Sequence, residues 1–140
     1  MFPEVDPPPR AETSGRIRWA ARAAWALAGI MAFFWIGAED VGLGRVMSLA
    51  ALLGAGLGLT LIQHGARSRA WSVVAGTLSG TAVPLIAVVL MLVKVSLHAH
   101  PNPDFALADF QGALRLTPVW ALAGLLAGAS LKVWDHAREH

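Results

Sequence analysis

The chain has 140 residues, 56% of them hydrophobic and only 14% charged, with mean hydropathy +0.56 and a formal net charge of +2. A soluble domain carries about 25% charged residues, so this composition excludes a separate water-facing domain. The basic residues sit beside apolar segments without an aromatic-interleaved basic surface, which argues against nucleic acid as a partner.

Cysteine is absent. Disulfides, thiol chemistry and iron–sulfur ligation are thereby removed, while the compartment stays open.

Residues 1–15 hold Pro3, Pro7, Pro8 and Pro9 with scattered charges, and predict a disordered or polyproline-type cytoplasmic tail. Residues 16–140 predict one transmembrane domain. Four apolar stretches, at about 20–38, 46–63, 72–93 and 118–133, carry no carboxylate or histidine deep inside them. A bilayer core needs about 17 to 25 mostly apolar helical residues per crossing, and each stretch approaches that length. The predicted fold is all-α, a bundle of four spanning helices with a short interfacial helix between the third and fourth.

The first stretch follows Arg16, Arg18 and Arg22. A basic region before an apolar run also describes a signal peptide, with Ile36-Gly37-Ala38 as its cleavage site. The long basic approach and the bulky Trp25, Phe33, Phe34 and Trp35 instead favour an uncleaved span.

Basic residues near the span ends set orientation. Four crossings put Arg10, Arg16, Arg18, Arg22, Arg67, Arg69, Lys132 and Arg138 on one side, leaving Arg45, Lys94 and Arg115 opposite. Both termini are therefore expected in the cytoplasm. Trp19 and Trp71 mark inner boundaries, Trp35 and Trp120 outer ones, and Trp134 the inner end of the last span. Only Trp25 lies deeper. An indole favours the interface because its ring is apolar while its N–H needs an acceptor.

Lipid tails are as apolar as leucine, so spans associate through close backbone approach. Small residues recur at four-residue spacing in every span: Ala20, Ala24, Ala28 and Ala32; Gly54 and Gly58; Gly76 and Gly80, continuing to Pro84; Gly124 and Gly128. Each set forms one stripe on its helix and predicts a helix-packing face, internal or toward a partner. Pro84 predicts a bend in the third span, with Thr77, Ser79 and Thr81 placed to satisfy freed carbonyls. Spans two and four also share a mild likeness around their glycines.

Between spans three and four, Asn102-Pro103-Asp104 reads as a helix start. Leu107, Phe110 and Leu114 then predict one apolar face lying on the outer interface. Thr117-Pro118 opens the last span by the same logic.

The densest polar cluster is Lys94, His98, His100, Asp104 and Asp109. His98, His100 and Asp104 offer three possible metal or pigment ligands, although the two histidines share a centre only on an irregular backbone. The bland reading has interfacial histidines, with the Lys94 amine reaching toward headgroups. Arg16, Arg18, Arg22, Arg67 and Arg69 suit anionic lipid headgroups.

No Ser/His/Asp arrangement, phosphate-binding glycine loop or zinc-protease motif occurs, and no ionisable residue sits mid-span. The expected protein is thus a non-catalytic, cofactor-free subunit or assembly factor of the bacterial inner membrane. It would contact lipid and, through its small-residue faces, itself or another membrane protein. The alternatives are a small channel or carrier lined by spans two and three, or a metal- or pigment-binding protein using His98 and His100.

Overall fold

The computed structural model describes residues 10–38, 42–64, 70–97 and 105–136, and these are helical apart from short connections. Five helices follow in order: α1 Arg10–Ile36, α2 Leu43–His64, α3 Trp71–Leu97, α4 Leu107–Arg115 and α5 Thr117–His136. Four stretches are long and apolar enough to cross a membrane: Gly15–Trp35, Leu43–His64, Trp71–Leu97, and Leu107–Leu131, which joins α4 to α5. Helix α1 begins at Arg10, inside the segment expected to be a tail.

Large apolar side chains cover the exterior. Trp19, Phe33 and Phe34 on α1, Leu85 and Val89 on α3, and Val119, Leu122 and Val133 on α5 are all exposed. Monomeric soluble proteins rarely display so continuous an apolar surface.

The pairs α1–α2, α2–α3 and α3–α5 each run antiparallel. Substantial packing joins α1 to α2, α2 to α3 and α3 to α5, with α4 resting on α3 and touching α2 and α5. Among the described residues α5 makes no comparable contact with α1, so the long helices form a row with α3 between α2 and α5. Glycine faces fix α3 on both of these flanks.

The α3–α5 contact is backbone on backbone. A Cβ built at Gly76 would strike the carbonyl oxygen of Gly124, and one at Gly124 would strike that of Gly76. The register continues a turn away on each side. A Cβ at Gly80 would collide with the carbonyl of Trp120, and one at Gly128 with that of Ser72, with Val73 Cα at 3.0 Å. Only hydrogen at these positions lets the main chains approach so far, an arrangement that also favours weak Cα–H···O contacts.

The α2–α3 contact uses glycine differently. A Cβ on Gly54 would come within 2.6 Å of Val83 Cγ2, and one on Gly58 within 2.6 Å of Ser79 Oγ. Here glycine receives a side chain from the facing helix. Ser79 is buried and donates to Gly76 O at 2.9 Å, so it brings no unsatisfied hydroxyl into the seam.

Helix α1 is held to α2 by Ala28, buried to 1% exposure, and by Trp25. The Trp25 ring lies on Gly56, whose added Cβ would be 3.0 Å from the indole. Trp25 Nε1 donates to Thr60 Oγ1 at 3.2 Å, and Thr60 in turn donates to Gly56 O at 2.7 Å. An indole this far from either end of α1 thus has the acceptor it needs. At the α1 N-terminal end, Gln63 Nε2 donates to Ile17 O at 3.0 Å.

Pro84 is buried within a continuous α3. The neighbouring hydroxyls do not serve the Gly80 carbonyl that lost its proline donor, as had been expected. Thr77, Ser79 and Thr81 donate instead to Val73, Gly76 and Thr77 carbonyls, further toward the α3 N-terminus.

A second proline is compensated directly. Pro118 has no N–H for Leu114 O, and the Thr117 hydroxyl donates to that same carbonyl at 2.6 Å. Together with the turn at Leu116, this lets α4 pass into α5 with a single residue between them.

Glycine at the α3–α5 contact is expected to be irreplaceable even by alanine. Gly124→Ala should cost about 1–3 kcal/mol, as overpacking against unyielding backbone does. Gly29→Ala, at an exposed α1 position with open space around it, should be neutral or stabilising by up to about 1 kcal/mol. Thermal unfolding of both variants in the same detergent checks the contrast.

Candidate functional site

A buried cation lies where the end of α1 meets the last turn of α3. Lys94 is 1% exposed, and its Nζ donates to the carbonyl oxygen of Ala38, just past the end of α1. The same ammonium stands 5.3 Å from the centre of the Trp35 ring. Ala38 N–H donates back to Trp35 O at 3.3 Å, which fixes the turn that presents the carbonyl.

Burying an ammonium is costly unless it is well partnered. A carbonyl, an aromatic face and the negative ends of two helix dipoles, α1 and α3, all favour the charge here. The expectation that the Lys94 amine reaches toward headgroups is corrected: it turns inward and ties α1 to α3.

Trp35 is itself buried, and its Nε1 has no hydrogen-bond partner among the described residues. Its ring also lines a cleft of about 210 Å³ between α1 and α2, together with Ile30, Met31, Phe34, Ala38, Arg45 and Leu49. All but Arg45 are apolar. Arg45 sits in the first turn of α2, is exposed, and makes no hydrogen bond or ion pair through its guanidinium among the described residues.

The end is closed over by α4. Phe105 and Ala113 are buried in one cluster with Trp35, Val46, Met47, Leu49 and Met91. The helix starts at Leu107 with Ala106 as its N-cap, whose N–H donates to the Asp109 carboxylate at 2.9 Å. Asp109 is therefore engaged in capping. The inward positions are Phe110 and Ala113, while Leu107 and Leu114 are exposed.

His98, His100 and Asp104, the expected ligand cluster, lie outside the described residues, as do Arg67 and Arg69. Among the described residues no three metal-ligating side chains gather. At the opposite end Arg16, Arg18 and Arg22 are exposed on the first part of α1, and His64 is exposed at the end of α2. Trp71 Nε1 donates to Leu61 O at 2.8 Å, joining the α3 start to the α2 end. Of the small residues expected at packing faces, Gly54, Gly58, Gly76, Gly80, Gly124 and Gly128 lie between helices of this one chain. Ala28 and Pro84 are buried and Ala24 is half-buried.

Sequence reasoning missed three features: the inward Lys94, the Trp25–Gly56–Thr60 contact and the Arg45 cleft. Trp25 carried a signal, being the tryptophan out of place for an interface. Lys94 carried none, since a lysine near a helix end ordinarily extends outward.

No protein-family model, curated protein or solved structure matches this chain.

Removing the ammonium should be more damaging than its position near a helix end implies. Lys94→Met keeps side-chain length but leaves the Ala38 carbonyl without its charged donor. The expected loss is about 1.5–3 kcal/mol, the range for hydrogen bonds to charged groups. Reversible unfolding in detergent, compared with wild type, reads it.

Proposed function

We propose that the chain is a non-catalytic accessory or assembly subunit of the bacterial inner membrane. It crosses the bilayer four times with both termini in the cytoplasm, and α4 lies at the outer interface. The observation that carries this reading is the apolar exterior of four helices, combined with an interior given over to helix packing. Orientation rests on the basic residues gathered beside the α1 N-terminus and in the α2–α3 connection.

Association would not use the glycine faces originally expected for it, because the chain spends them on itself. It would use the free flanks of the two end helices. One is the aromatic α1 face with Ile30, Phe33 and Phe34; the other is the α5 face with Val119, Leu122 and Leu126, all exposed. The channel alternative is less favoured. Val83 and Ser79 meet Gly54 and Gly58 directly along the α2–α3 line, and the nearby Ser and Thr hydroxyls bond their own helix.

Thinning either flank should weaken association. Phe33→Ala with Phe34→Ala, and separately Leu122→Ala with Leu126→Ala, are expected to reduce oligomer mass or co-purifying membrane protein in a gentle detergent. Unchanged mass and unchanged co-purification for both pairs would overturn the reading. Tags at each end of the chain, reachable only after the cell envelope is permeabilised, test the orientation.

A further inference from the structure

The two ends of the row are unlike, and their shapes are complementary. On α1 the side away from α2 is centred on Ala26, about 200° around the helix from the buried Ala28. Ala26 and Gly29 are exposed, and a Cβ added to Gly29 would meet nothing within 4 Å. Phe33, 77% exposed, stands beyond them toward the α1 C-terminus, and Arg22 bounds them on the N-terminal side. The result is a shallow notch. On α5 the side away from α3 is a ridge of exposed Val119, Leu122 and Leu126. The two leucines each lie about 200° from Gly124, which faces α3.

Notch and ridge share a depth. The Trp25 ring lies on Gly56, Gly54 and Gly58 face Val83 and Ser79, and Gly80 faces Trp120 and Gly124. Following these contacts across the row brings Ala26 to the level of Leu122 and Gly29 to that of Val119, within about one turn.

Direction agrees as well. Helices α1 and α3 run one way, α2 and α5 the other. Copies in one bilayer share an orientation. A copy's α5 beside the next copy's α1 therefore extends the alternation that every seam between the long helices follows. Pairing α1 with α1, or α5 with α5, would set helices parallel, notch to notch or ridge to ridge. A side chain received by glycine is also the device at Gly54 and Gly56.

We propose that the partner at both flanks is a second copy of this chain. The copies dock head to tail, with the Leu122 ridge of one in the Ala26–Gly29 notch of the next. This rests on the reading above that the end helices carry the association, and it names the partner. A head-to-tail contact repeats from copy to copy, so it builds a ring where the rotation closes and a longer array where it does not.

The chain has no cysteine, so single introduced thiols report the contact. Full-length Ala26→Cys and Leu122→Cys chains carrying different tags are co-expressed, and their membranes are oxidised. A disulfide dimer containing both tags is expected, with little or none when both copies carry the same substitution. Dilution with unaltered chain should remove it, as it removes any distance read between copies. Filling the notch with Ala26→Leu should abolish the oligomer in gentle detergent, and adding Leu122→Ala should restore it.

Same-substitution dimers that match or exceed the mixed one overturn the proposal. So does an Ala26→Leu, Leu122→Ala chain that associates no better than Ala26→Leu alone. A monomer that still captures another membrane protein overturns this partner and leaves the accessory reading standing. A chain that stays monomeric and captures nothing overturns both.

Discussion

The backbone contact between α3 and α5 is the constraint from which the rest of the arrangement follows. Hydrophobicity places helices in lipid but gives them no reason to choose one another. Here the choice is made by Gly76 and Gly80 meeting Gly124 and Gly128, with main-chain atoms where side chains would otherwise stand. Because the fit is to rigid backbone, it specifies register as well as partner. Glycine weakens a helix by about 1 kcal/mol relative to alanine in water, so its repeated presence on two facing stripes is offset by the contact it permits.

Helix α3 then acts as the spine. Its other flank takes α2, where Gly54 and Gly58 accept Val83 and Ser79, and α2 in turn takes α1 through Gly56 beneath Trp25. Each seam uses a different device: backbone on backbone, side chain into glycine, indole on glycine. The weight of the contact falls along this order, and the Lys94 ammonium, donating to Ala38 O, bridges the ends of α3 and α1. A row leaves two end helices with an open flank each. That geometry is the reason the proposed association is assigned to α1 and α5, and not to the glycines.

Much of this was legible in the residues, and the remainder was hidden for physical reasons. The four long helices follow from apolar length alone, and their observed bounds lie within a few residues of the expected stretches, except at the α1 N-terminus. The four-residue spacing of Gly54/Gly58, Gly76/Gly80 and Gly124/Gly128 was visible, but spacing shows a stripe and not what it faces. Partner choice depends on the azimuth of every helix at once.

The start of α4 was misread from Asn102-Pro103-Asp104. Local capping preferences suggested an earlier start, whereas Asp109 reaches back to Ala106 N–H and sets a later one. Lys94 was misread because outward extension is the ordinary fate of such a lysine; only the coincidence of Trp35 and Ala38 O reverses it. The Arg45 cleft joins residues from two helices, and no periodicity within either helix announces it.

The row is open to direct measurement because the chain has no native cysteine. Spin labels on Leu27→Cys, Leu85→Cys and Val119→Cys would sit on exposed faces of α1, α3 and α5, and pulsed electron resonance on labelled pairs in bilayers reads their separations. The α3–α5 pair should fall near one interaxial spacing, about 8–10 Å plus the label arms, and the α1–α5 pair at about two spacings or more. Equal short distances for both pairs would mean that the helices close into a ring, and would contradict the account.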